Sequence, residues 1–198
     1  MIAASIIVLG EHKSLTLQDQ LLLDYSKNTY SLSIDEIEKI NYRLPNLSAN
    51  TVPISTYLSR YYINKGDYKK AELLIEYGLA SNPYDLMSSE LELQVYLNNN
   101  KLFQAFNKSK ELFAKNPNNL VYAKIYIPLA LRLNQESEFN QSSLIKLSDD
   151  VEIYILFLEN YLELQNIDIN SLLDFLNYSP NKFPNNLFLK NLEKNILN

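Results

Sequence analysis

His12 is the only histidine in this chain, and cysteine is absent. An imidazole-built metal cluster therefore has a single ligand to draw on. Zinc–thiolate sites, disulfides and thiol nucleophiles are excluded by composition. His12 stands between Glu11 and Lys13 in a polar stretch and is expected at the surface. Glu90 and Glu92, two apart on a predicted helix, point to different faces and cannot share acid–base work. Asp149-Asp150 immediately precedes an apolar helical run and reads as a helix cap. The only glycines, Gly10, Gly66 and Gly78, are too few and too scattered for a phosphate-cradling loop. Tyr61, Tyr62, Tyr122 and Tyr126 are spaced as helix packing positions rather than as a stacking platform. Four matches to the glycosylation acceptor pattern (at Asn46, Asn107, Asn140 and Asn177) arise by chance in so Asn-rich a chain. No catalytic, cofactor-binding or metal-binding residue is predicted, and the chain is not expected to be an enzyme.

The elements that carry these residues are helical nearly throughout. With 3 Gly and 7 Pro in 198 residues, the composition argues against a turn-dense β sandwich or barrel. A formal net charge of −5 argues against a nucleic-acid surface, which needs a basic face to neutralise phosphates. The short basic clusters, Lys69-Lys70 and Lys108 with Lys110, sit among acids as solvated helix faces. The apolar run Ile2–Leu9 is too short to span a bilayer and lacks a basic start. It reads either as a buried strand or first helical turn, or as the end of a membrane helix whose upstream part lies outside this chain.

The predicted elements run in order. A helix spans about 15–27. Ser33-Ile34-Asp35-Glu36 has the capping-box form and opens a helix to about Leu44, stopped by Pro45. A linker at 46–50 follows. Then a period appears: Tyr62 and Tyr96, Ala71 and Ala105, and Pro83 and Pro117 are each separated by 34 residues. A fixed interval of this length marks stacked helical hairpins. The first hairpin covers about 49–84, turns at Lys65-Gly66-Asp67 and ends at Asn82-Pro83. The second covers about 85–118, turns at Asn98-Asn99-Asn100 and ends at Asn116-Pro117. The third opens near Asn119, is helical through Leu133, turns at 134–136 and continues as a short helix over about 139–147. Asp149 is the expected N-cap of a helix over 151–164, apolar on nearly all sides and expected to be the most buried. Two shorter helices, about 170–178 and 185–197, close the chain.

Tyr62, Gly66, Tyr68, Ala71, Gly78 and Pro83 stand in the order of the tetratricopeptide repeat, and Tyr61–Asp85 resembles a good member. The second repeat departs at Asn100, where glycine is usual, and at Leu112, where a small residue is usual. The resemblance covers about 49–147. It implies an all-α, single-domain, right-handed solenoid of helical hairpins, preceded by an N-terminal helical pair and closed by a C-terminal helical cap. It also implies a concave face made by the first helix of each hairpin, presenting Thr56, Arg60, Asn64, Glu90, Gln94, Asn98, Lys124, Pro128 and Arg132 to a protein or peptide partner. The lysine and asparagine pattern that clamps a peptide carboxylate in chaperone-binding members is absent, since Thr56 and Arg60 occupy key places. A non-catalytic interaction scaffold is the expected function. A peptide-sensing regulator would come with a DNA-binding module, and none is visible.

The stretch Arg43–Ile54, followed by the repeats and Asn82-Pro83-Tyr84, is also similar to the tail of bacterial O-antigen ligase or polymerase-like membrane proteins. That resemblance implies a helical accessory tail on the periplasmic face of a bacterial inner membrane, attached through the N-terminus to a glycan-transferring enzyme. The catalytic residues of such an enzyme would lie outside this chain.

Overall fold

A computed structural model describes residues 2–43, 50–133, 143–163 and 169–197. All eleven elements among the described residues are helices. They are α1 (Ile2–Lys27), α2 (Ile34–Ile37), α3 (Ile54–Asn64), α4 (Tyr68–Ser81), α5 (Leu86–Asn98) and α6 (Leu102–Lys115). The others are α7 (Leu120–Arg132), α8 (Ser143–Lys146), α9 (Val151–Leu162), α10 (Ile169–Lys182) and α11 (Leu187–Leu197). The chain divides into two compact units, residues 1–100 and 101–198.

The 34-residue interval of the sequence is also the interval of the elements. Helices α3, α5 and α7 close at residues 64, 98 and 132, and α2, α4 and α6 open at residues 34, 68 and 102. Local chemistry sets these limits. Gly66 (φ 78°) and Asn100 (φ 53°) both turn the chain through the left-handed region, one interval apart. Glycine has no Cβ to oppose that conformation, and asparagine is among the few side chains that tolerate it. Asp67 caps α4 by accepting from Lys70 N, Asp85 caps α5 from Met87 N and Ser88 N, and Asn119 caps α7 from Val121 N and Tyr122 N. Each pairing satisfies amide groups that the first helical turn leaves without partners.

In the first unit α3 is the central element, packed against α1, α4 and α5. Nine of its eleven residues are buried. It exceeds α9, where Ile155 and Leu156 are only half-buried and Leu162 is exposed. The expectation that the 151–164 helix would be the most buried is thereby corrected: enclosure by three neighbours outweighs apolar composition. Gly78 on α4 makes this closeness possible. A Cβ there would stand 2.7 Å from Thr56 Oγ1, 2.9 Å from Ser88 Oγ and 3.2 Å from Ser55 Oγ.

Helix α1 is longer than expected, opening at Ile2. The capping box at Ser33 and Glu36 forms in full, with Ser33 Oγ accepting from Glu36 N and Glu36 Oε2 accepting from Ser33 N. The helix it opens nevertheless stops at Ile37 rather than near Leu44. A cap supplies hydrogen bonds but not length, which comes from burying a continuous stripe, and among the described residues 38–43 only Ile40 is buried.

The second unit has aromatic centres. Tyr126 of α7 lies between Phe106 and Phe113 of α6, with ring centroids 5.7 and 5.6 Å away. Tyr154 and Phe157 of α9 meet Phe175 of α10 at 5.3 and 4.4 Å, and Leu189 of α11 is fully buried. The cap of α9 is Asp150, whose carboxylate accepts from Glu152 N at 2.9 Å. Asp149, the expected cap, is exposed and pairs instead with Lys182 at 3.1 Å. The two adjacent acids differ in backbone placement, and only the second has its side chain over the first turn. The expected turn at 134–136, residues 139–142 of the short helix after it and Pro45 lie outside the described residues, as does the His12 side chain.

Candidate functional site

The nine residues expected on an exposed face do not share one environment. On α5, Glu90, Gln94 and Asn98 are all exposed. They fall four apart, so they form one stripe, while Leu91 and Val95 between them turn inward. On α7, Lys124, Pro128 and Arg132 repeat that arrangement one interval later and are likewise exposed. Tyr122, Ala123, Tyr126, Ile127, Leu129 and Ala130 are buried behind them. Pro128 lies inside α7. It has no amide hydrogen to give the carbonyl of Lys124.

On α3 the corresponding positions are largely taken. Asn64 is exposed, Arg60 is half-buried and Thr56 is fully buried. Thr56 Oγ1 donates to Asp85 Oδ2 at 3.1 Å and lies 2.6 Å from Ser88 Oγ. It faces inward against α4 and α5, so its hydroxyl is committed within the fold and does not reach a surface. The cause is Gly78, which draws the helices so close that only small hydroxylated side chains fit between them.

Arg60 is held by the N-terminal elements. Its guanidinium sits 5.0 Å from the Tyr25 ring centre and 5.4 Å from that of Tyr30, and it donates to Asn28 Oδ1. Asn28 presents that oxygen from a left-handed turn, φ 54°. Beside it, Tyr61 donates to Asp24 Oδ2. Asp24 is 2% exposed and also accepts from Ser31 N at 2.7 Å, Ser31 Oγ, Thr29 Oγ1 and Gln20 Nε2. Burial alone would raise its pKa, but the bonds from Tyr61, Ser31 and Thr29 outweigh it and bring the carboxyl down to about 2. Burial, with the same pairing beside it, pushes the Tyr61 hydroxyl well above its ordinary value. Sequence reasoning missed Asp24. The available signal was an acid one turn before a helix end, followed by Thr29 and Ser31.

At the far edge of α5, Tyr96 donates to Glu92 Oε1 at 2.7 Å. Its hydroxyl pKa is raised by burial, by this bond and by the nearby charges of Glu92, Glu72 and Glu76. Glu92 is thus a structural acceptor. Among the described residues no group of three or more metal-ligating side chains comes together, and no helix is long and apolar enough to cross a membrane. No family model, curated protein or solved structure matches the chain.

Proposed function

We propose that this chain is a non-catalytic scaffold of tetratricopeptide-like hairpins that binds a protein or peptide partner. The observation that supports it is the pair of exposed stripes, Glu90–Gln94–Asn98 on α5 and Lys124–Pro128–Arg132 on α7, each presented by a helix with a buried back. Mixed polar side chains at four-residue spacing on a rigid helix suit recognition of an extended segment or another helix. They hold no acid–base pair and no nucleophile beside a base. Arg60 belongs to the fold's own N-terminal latch, so the binding surface of the first unit centres on α5.

Site-specific photo-crosslinking tests this. A benzophenone side chain placed at Gln94 or at Pro128 should give discrete adducts in cell extract, and one placed at Lys69, exposed on α4, should not. Equal labelling from all three positions would overturn the reading.

A second reading, an accessory tail of an O-antigen ligase-like membrane enzyme, has one observation in its favour. Helix α1 is continuous from Ile2 to Lys27, so the apolar run Ile2–Leu9 is helical, as the end of a spanning helix would be. Flotation of the chain with phosphatidylglycerol vesicles, lost in Ile7→Asp, would favour this attachment. An unbound chain would count against it.

A further inference from the structure

Helices α8 and α10 border an open cleft of about 630 Å³, lined by Lys146, Asp174, Asn177, Tyr178, Asn181 and Lys182. We propose that this cleft holds an extended segment of a partner with an acidic side chain, Asn177 and Asn181 pairing with its backbone and Lys146 with its carboxylate. The proposal rests on the scaffold reading above and names a partner chemistry for it.

Spacing comes first. Residues Asp174, Asn177, Tyr178, Asn181 and Lys182 fall on one face of α10. Asn177 and Asn181 are one turn apart, a rise of about 6 Å along the helix. Alternate residues of an extended chain repeat at about 6.6 Å, so both amides can meet successive peptide groups on one edge. A carboxamide offers the donor and acceptor that a peptide group needs. The Asn177 side chain makes no hydrogen bond among the described residues. Asn181 gives one hydrogen from Nδ2 to Asn177 O at 2.7 Å, leaving its other hydrogen and Oδ1 available.

Charge comes second. The Lys182 ammonium is committed, donating to Lys146 O at 3.0 Å and Ser148 O at 2.6 Å and pairing with Asp149 at 3.1 Å. Lys146 differs. Its Nζ stands 5.2 Å from the Tyr178 ring centre, and among the described residues it meets no carboxylate. A cation held over a ring keeps donors open to an incoming anion.

The same features disfavour other ligands. A sugar stacking on Tyr178 would have to displace the Lys146 ammonium from the ring, and Tyr154 lies parallel to that ring at 6.4 Å. A nucleic acid needs several open cations and would find Lys182 already paired with Asp149 and Asp174 lining the same cleft, whereas a single carboxylate needs only Lys146.

The test is a titration of the isotope-labelled full chain, followed by NMR. The probes are acetyl-Ala-Ala-Glu-Ala-Ala-amide, its Lys-for-Glu counterpart and maltotriose. The Glu peptide should shift the side-chain amide signals of Asn177 and Asn181 saturably, with a Kd about fivefold or more below that of the Lys peptide. Asn177→Ala with Asn181→Ala should weaken binding of both peptides about tenfold, and Lys146→Gln should abolish only the preference for Glu. These surface changes leave the packed rings untouched, and an unchanged methyl spectrum verifies that. Absence of saturable shifts at these amides, shifts confined to other residues, or a response to maltotriose without one to peptide would overturn the proposal. The scaffold reading fails separately, by the absence of crosslinks from Gln94 and Pro128.

Discussion

Asp24 has the most consequential electrostatics of any single residue described. A carboxyl whose folded pKa is depressed stabilises the fold above its unfolded value and loses that contribution as pH falls through the folded value. With the ordinary value at 3.8 and the folded value at about 2, the contribution, about 2 kcal/mol, is complete above about pH 5 and mostly gone by about pH 2.5. Urea denaturation at pH 7 and pH 2.5 should show this loss in the wild type and not in Asp24→Asn. An identical pH dependence in both would mean that Asp24 is not the group responsible. Gly78 is the second decisive residue. Gly78→Ala places a methyl group 2.7 Å from Thr56 Oγ1, against a hydroxyl already bonded to Asp85. Overpacking of this kind costs about 1–3 kcal/mol, readable as a lowered urea midpoint with an unchanged slope. Gly66 has open space around it, so a substitution there meets only the backbone term.

That backbone term belongs to the element scale, where the interval of 34 residues is enforced. Gly66 and Asn100 occupy equivalent left-handed turns. Gly66→Ala and Asn100→Ala should each destabilise by about 1 kcal/mol, while Gly66→Asn should cost clearly less, because Asn100 already carries that conformation. Thermal melts of the three variants decide this, and equal costs for Ala and Asn at position 66 would refute it. The repeat was legible because its marks are local: glycine or asparagine at the turn, Asp or Asn at the cap, and Asn-Pro at the end. The starts of α5 and α7 at Asp85 and Asn119 and the ends of α3 and α5 before Gly66 and Asn100 follow directly from those marks. What was hidden depends on neighbours distant in sequence. The burial of Thr56 and the capture of Arg60 by Tyr25, Tyr30 and Asn28 come from contacts spanning about 30 residues, which no local pattern encodes. The choice of Asp150 over Asp149 as cap was equally illegible, since both match the sequence signature. Lys182, partner to Asp149, lies 33 positions away.

For the whole molecule, the account rests on two helices that present polar stripes from buried backs. The most direct measurement is quantitative affinity capture from cell extract. It compares the wild type with Glu90→Lys/Gln94→Lys on α5, with Lys124→Glu/Arg132→Glu on α7, and with Lys69→Glu and Lys190→Glu as exposed controls off the stripes. Circular dichroism and melting temperature establish that every variant folds. The account predicts a partner retained by the wild type and both controls and reduced about tenfold or more by at least one stripe variant. A partner retained equally by all variants would contradict it, as would a loss produced by the controls alone.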